Sequence, residues 1–190
     1  MDPVSVLDYR YGTEEMRDVF RANSYLNFLL EVEATLAEAQ AEIGIVPKDA
    51  AVQIRNGIPL VKRKRVEEIE SEINHDVMAV VKGLEEQVGE AGKWIHFGAT
   101  SYDIVDTARA LQHKKAINLI EEALSNLIAS IGKLAEEHKD TVMLGRTHGQ
   151  WATPITFGLK MAVFASELAR HMERLIQLKP RILTGKFLGA

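Results

Sequence analysis

The chain has 190 residues and not one cysteine. Disulfides and Cys-ligated zinc are therefore excluded, and a reducing, cytoplasmic setting is the expectation. Long apolar runs are absent as well. None approaches a membrane span, and the N-terminus lacks the basic-then-apolar pattern of a secretory signal. No membrane partner is expected. There is no basic excess: Lys and Arg number 23 against 27 Asp and Glu, a net charge of −4. A generic nucleic-acid binder needs a basic surface, so nucleic acid is not an expected partner. None of the six histidines stands four residues from another, so no metal site is expected. No motif asks for a cofactor. Alternating polar and apolar runs are missing, as are repeats and low-complexity stretches, so the chain offers no convincing strand.

What the chain does have is apolar content and helical pattern. Hydrophobic residues make up 46%, enough for a sizeable core in one ordinary domain or two small ones. Strong helix formers run from Glu14 to Ile43, where Gly44 and then Pro47 stop them. Pro47 to Asn56 reads as a short helix closed by Gly57, and Lys62 to Ile73 as another. Asn74 is available to cap a further helix, Asp76 to Val88, which Gly89 and Gly92 end.

From Ser101 to His138 there is no proline and a single glycine, Gly132. Thr100 and Asp103 have the spacing of a capping box, with the hydroxyl expected on the backbone and the carboxylate at the positive end of the dipole. Ile117, Ile120, Leu124, Leu127, Ile131 and Leu134 alternate three and four apart, a heptad seam. Such a helix would be about 55 Å long and needs long partners. The next is predicted to start at Thr153-Pro154, a cap followed by proline at the first helical position, and to run to Leu178 before Pro180. Its apolar residues fall on more than one face, which predicts burial on several sides. The expected fold class is all-α. A small N-terminal helical domain, 1–100, precedes the first part of a helical-bundle domain, 101–190, whose long antiparallel helices are joined through Asp140 to Ala152. Two such helices leave much apolar surface uncovered, so they either dimerise or belong to a longer protein.

Three polar islands carry histidine at helix junctions: Asn74-His75-Asp76, His96 to Asp103, and Gly145-Arg146-Thr147-His148-Gly149-Gln150. An active site built on a helical scaffold would leave this trace. Each residue alone also has a plainer reading. His148 alone is more often a hydrogen-bonded structural residue, His75 before Asp76 is simple helix-start polarity, and Asp103 is a cap. His113, His138 and His171 lie within or at the ends of long helices and read as surface or interface. Lys62 to Arg65 reads as a solvated helix start, given the acidic stretch Glu67 to Glu72 that follows.

Gly145 to Gly149 resembles the histidine motif of the fumarase/aspartase superfamily. The stretch Trp94 to Ala108 is similar to the adenylosuccinate lyase branch, as are Glu72 to Ala79, Arg10-Tyr11 and Thr153 to Lys160. The resemblance covers nearly the whole chain. It implies a carbon–nitrogen lyase of purine and AMP biosynthesis that eliminates fumarate from adenylosuccinate and from the succinyl-carboxamide ribotide. It makes His148 the general acid, a role that suits a side chain titrating near neutrality. It assigns Thr100, Ser101 and Thr147 to a substrate carboxylate, and His75, with Asp76 beside it, to catalysis and orientation of the substrate. Arg10, Tyr11 and His96 would lie toward the nucleotide phosphate. No metal or cofactor is implied, and the assembly implied is a homotetramer whose sites each draw on three subunits.

The family's base is a serine on a mobile Gly/Ser-rich loop followed by Met-Pro-x-Lys, and these 190 residues contain no such sequence. The resemblance places that loop downstream of Ala190, so the chain by itself is expected to be inactive. Thr13 stands where some relatives have Arg, and Leu188 where Ser is common. Two other readings remain open: a carboxymuconate cycloisomerase-like member, which can share Gly-Ala-Thr-Ser-x-Asp, and a non-catalytic helical assembly module.

Overall fold

The computed structural model describes residues 10–189. Among these residues, seven α-helices and one two-stranded hairpin follow in order: α1 (Glu14–Phe20), α2 (Ala22–Glu42), α3 (Lys48–Gly57), α4 (Arg63–Ile73), α5 (Asp76–Val88), α6 (Ser101–Glu137), β1 (Val142–Thr147), β2 (Gln150–Thr156) and α7 (Phe157–Ile182). The all-α class holds, and the hairpin is its one departure. The chain forms two compact units: Met1–Lys115 with Leu183–Ala190, and Ala116–Ile182.

The first unit has one core. Leu26, Leu29, Leu30, Ala34, Ala37 and Ala41 make a stripe along α2 at helical spacing. It packs with Ile54 of α3, Val66 and Ile69 of α4, Val80, Val81 and Leu84 of α5, and Ile104 and Ala108 of α6. The helix predicted from Glu14 to Ile43 is in fact two. Arg21 is extended (φ −66°, ψ 147°) and divides α1 from α2. The buried Gln112 amide donates to the carbonyl of Val19 at 2.9 Å, occupying the acceptor a continuous helix would have used. The basic run that opens α4 is bound up in ion pairs: Arg63 with Glu67, and Arg65 with Glu68 and Glu86. That agrees with a solvated helix start.

The second unit is an antiparallel pair with a hairpin at one end. Gly158 near the start of α7 lies against Ala135 near the end of α6 and Lys139 just beyond it. Far along the pair, Lys179 of α7 bonds Glu121 of α6. Sequence reading missed the strands and began the last helix too early. Thr153 and Pro154 lie in β2, and α7 begins at Phe157. Proline is tolerated there because a two-stranded ribbon is all edge. Thr156, not Thr153, caps α7 by accepting from Leu159 N at 3.0 Å. Pro180 does not stop α7, which runs on to Ile182. Nor is α7 buried on several sides in this chain. Leu159, Val163, Phe164 and Ile176 are exposed, as are Ile120, Leu127 and Leu134 of the α6 seam.

Candidate functional site

The three histidine islands share an unusual backbone. Asn74 (φ 52°), His96 (φ 61°) and His148 (φ 52°) are the only non-glycine residues with positive φ among the described residues, and each lies in a different island. Left-handed backbone costs energy for a residue with a Cβ and clusters at functional sites. The islands are therefore set apart by conformation as well as by composition.

Asn74 does not cap α5 as the sequence suggested. It closes α4 in the left-handed conformation, its N–H on the carbonyl of Glu70. The α5 cap is His75, whose Nδ1 accepts from Met78 N at 3.3 Å. That bond leaves the neutral ring's proton on Nε2. Asp76 does not set this tautomer: its Oδ1 takes the N–H of Val77 at 2.8 Å and stands 3.7 Å from His75 Nδ1.

The second island is bound from both sides. The Nδ1 of His96 is 2.7 Å from Oε1 of Glu33, a residue of α2 only 1% exposed. The Glu33 hydrogen bond, outweighing burial and aided by Asp103, raises the imidazole above the usual histidine range. The Gln40 amide, also from α2, donates to the carbonyl of Phe97 at 2.7 Å. Sequence reading missed Glu33 and Gln40. The signal was available: two polar residues seven apart on the apolar stripe of α2.

Thr100 and Ser101 open α6, both partly buried. Half of the expected capping box is present: Asp103 Oδ2 accepts from Thr100 N at 3.0 Å. Among the described residues, the Thr100 hydroxyl makes no capping hydrogen bond. Asp103 also accepts from Leu188 N (3.0 Å) and Gly189 N (2.9 Å), so it is the anchor of the C-terminal segment. Leu188 contributes only its backbone, its side chain being 81% exposed. Thr107 adds two bonds to the backbone of Lys186.

The backbone N–H groups of Leu188, Thr100 and Gly189, with Lys186 nearby, hold the Asp103 carboxyl below the usual carboxylate range. A depressed carboxyl stabilises the fold above its unfolded pKa, and that stability is lost as pH falls through the folded value. The anchor is thus expected to fail only in acid, below about pH 4. In Asp103→Asn it should fail at neutral pH, and hydrogen exchange at Thr100, Leu188 and Gly189 should accelerate. Unchanged protection would mean the segment is held by other contacts.

The third island is the hairpin. Thr147 pairs with Gln150, leaving His148-Gly149 as a two-residue turn with both residues at positive φ. That is the type I′ arrangement, for which Asn-Gly is the favoured pair. The register shifts between Leu144 and Arg146, where Ala152 and Thr153 bulge opposite Gly145. A Cβ on Gly145 would meet the Thr153 carbonyl, so this position requires glycine. Arg146, Thr147 and His148 are exposed.

The structure brings His96, Thr100 and Asp103 into one neighbourhood of the first unit. No hydrogen bond or ion pair among the described residues joins His75 to them. Arg10 is exposed at a turn, and Tyr11, 59% exposed, offers its carbonyl to Arg17. Thr13 caps α1 by accepting from Met16 N at 3.2 Å. No cluster of three metal-ligating side chains occurs among the described residues. No helix among them is long and apolar enough to cross a membrane.

The Lyase family profile matches residues 8–190. The chain belongs to the Lyase family. It is 51% identical over 189 residues to the adenylosuccinate lyase of Pyrococcus abyssi, covering 98% of this chain and 42% of that protein. It is 50% identical to the adenylosuccinate lyase of Methanocaldococcus jannaschii, covering 98% and 41%. The fold matches the crystal structure of a fumarate lyase from Mesorhizobium sp. BNC1 with TM-score 0.85 and 39% identity over 95% of this chain and 44% of that one. It matches a 3-carboxy-cis,cis-muconate lactonizing enzyme from Pseudomonas putida with the same TM-score and 34% identity, over 97% and 44%. The chain thus spans about two-fifths of the length of the relatives it matches.

Proposed function

We propose that this chain is part of an adenylosuccinate lyase, which eliminates fumarate from adenylosuccinate to give AMP and acts likewise on the succinyl-carboxamide ribotide. The observation that carries the reading is the identity of about half over 98% of the chain to relatives of that name. The muconate enzyme reading rests on 34% identity. The assembly-module reading leaves the left-handed histidines of the islands without a purpose.

The chemistry divides into three tasks. A base takes the proton from the carbon beside a carboxylate. Donors hold the charge that develops there. The C–N bond then breaks with its electron pair on nitrogen, and an acid supplies a proton to that nitrogen. His148 is the acid. The hydroxyls of Thr100 and Ser101 at the positive end of α6, and of Thr147, serve the carboxylate. His75 orients the substrate with Asp76 at its side, donating from Nε2 because its Nδ1 is spent on the cap. Arg10, Tyr11 and His96 serve the phosphate, Arg by its bidentate fork. The base lies on a serine loop outside these 190 residues. In the whole protein, residues 1–100 belong to the N-terminal helical domain and 101–190 to the central bundle. The exposed apolar rows of α6 and α7 fit burial in a homotetramer. The setting is cytoplasmic, with no metal or cofactor.

The test is a comparison of substrates on the full-length gene product. Adenylosuccinate is expected to yield AMP and fumarate in equal amounts, while carboxymuconate is left unchanged. Turnover of carboxymuconate with none of adenylosuccinate would move the assignment to the cycloisomerase branch.

A further inference from the structure

The core of the first unit contains two polar atoms without a partner. Among the described residues, Oε2 of Glu33 and Oε1 of Gln40 are buried and accept no hydrogen bond. A buried carboxylate is costly, and one with an idle oxygen more so. A leucine at position 33 would extend the stripe of Leu26, Leu29, Leu30 and Ala37 without that cost. Two turns apart on α2, Glu33 and Gln40 both reach the same short loop. Glu33 takes the His96 ring at 2.7 Å, and Gln40 takes the Phe97 carbonyl at 2.7 Å. That loop holds His96 in a left-handed conformation.

We propose that Glu33 is a positioning residue: its buried carboxylate accepts the Nδ1–H of His96, fixing the ring and leaving Nε2 as a charged donor for an anionic group of the substrate. The proposal rests on the reading above, in which His96 serves the phosphate. Gln40 assists by fixing the next peptide. A neutral imidazole with its proton on Nδ1 would offer a phosphate only a lone pair. The imidazolium offers an N–H, and charge-assisted bonds to phosphate are the stronger kind. The charged groups acting on the ring are Glu33 from α2 and Asp103 from α6, and both favour the cation.

The experiment is an NMR titration of the six histidines in 13C/15N-histidine-labelled chain, wild type beside Glu33→Gln. In wild type, His96 is expected to titrate above the ordinary histidine range and to keep its proton on Nδ1 once neutral. In Glu33→Gln the midpoint should fall. The wild-type spectrum tests the idea even if the variant does not fold. A His96 that carries its proton on Nε2 when neutral, or titrates at the same pH in both chains, overturns it. AMP binding by the full-length product is the second readout. Affinity should fall about tenfold in Glu33→Gln at neutral pH, the equivalent of one charge-assisted bond. In wild type it should weaken as pH rises through the His96 midpoint. A wild type that binds no AMP while His96 titrates as described would contradict the nucleotide reading and leave the Glu33–His96 pair standing. AMP affinity that ignores Glu33 overturns the pair's binding role.

Discussion

Replacing His148 by Asn in the full-length gene product is expected to lower kcat for adenylosuccinate cleavage by about 10²–10⁴, the usual contribution of a positioned general acid. Asn is the informative substitution because of where His148 sits. The His148-Gly149 turn has both residues at positive φ, and Asn-Gly is the pair such a turn favours. The variant should therefore keep or improve the hairpin while losing the proton donor. His148→Ala lacks that advantage, since Ala pays the cost of a left-handed backbone without a polar side chain to offset it. Retained kcat in His148→Asn would remove this residue from proton transfer. A loss confined to KM would make it a binding group.

Gly158→Ala is expected to destabilise the second unit by about 2–3 kcal/mol, in the upper part of the usual range for overpacking. Propensity alone argues the other way, since Ala is favoured over Gly in a helix by about 1 kcal/mol. Sterics decide it. A Cβ at 158 would lie 2.5 Å from Lys139 Cα and 2.6 Å from Lys139 N, and closer still to the Ala135 carbonyl. These are backbone atoms of α6 and of the turn that follows it, which cannot swing aside as a long side chain would. The N–H of Gly158 already donates to His138 O at 2.9 Å, holding α7 against α6 at this point. Thermal melts should show Tm lower by roughly 5–10 °C. An unchanged or raised Tm would mean that the helices part here at little cost. The same displacement would tilt the hairpin that carries His148, so activity should fall with stability.

Much of this fold was legible because apolar spacing alone decides a helix. The bounds of α5 and the start of α6 match the sequence reading, where glycine or a capping box marks the end. The hairpin was not legible. Its exposed face is itself apolar, as Val142 and Trp151 show at 75% and 81%, so no polar–apolar alternation betrays the strands. Thr153-Pro154 mimicked a helix start because proline suits a first helical turn as well as a sheet edge. The break at Arg21 was hidden too, since the side chain that takes up the freed Val19 carbonyl, Gln112, is distant in sequence. At the candidate site, the islands stood out by composition, and their left-handed backbone was seen only in three dimensions. Glu33 was passed over because one Glu in a helix-forming run reads as surface. Its place with Gln40 on the apolar stripe of α2 was the one trace in the sequence, and its burial at 1% exposure and its bond to His96 give that trace a meaning.

On the proposed function, these residues hold the acid and the anion-binding part of a fumarate-eliminating site, with the base elsewhere. Fumarate release from adenylosuccinate, followed by absorbance on the 190-residue chain and on the full-length gene product side by side, tests it most directly. Equal fumarate and AMP are expected from the full-length product and none from the shorter chain. Steady release by the 190 residues alone would contradict the division of the site, and release by neither would contradict the elimination itself.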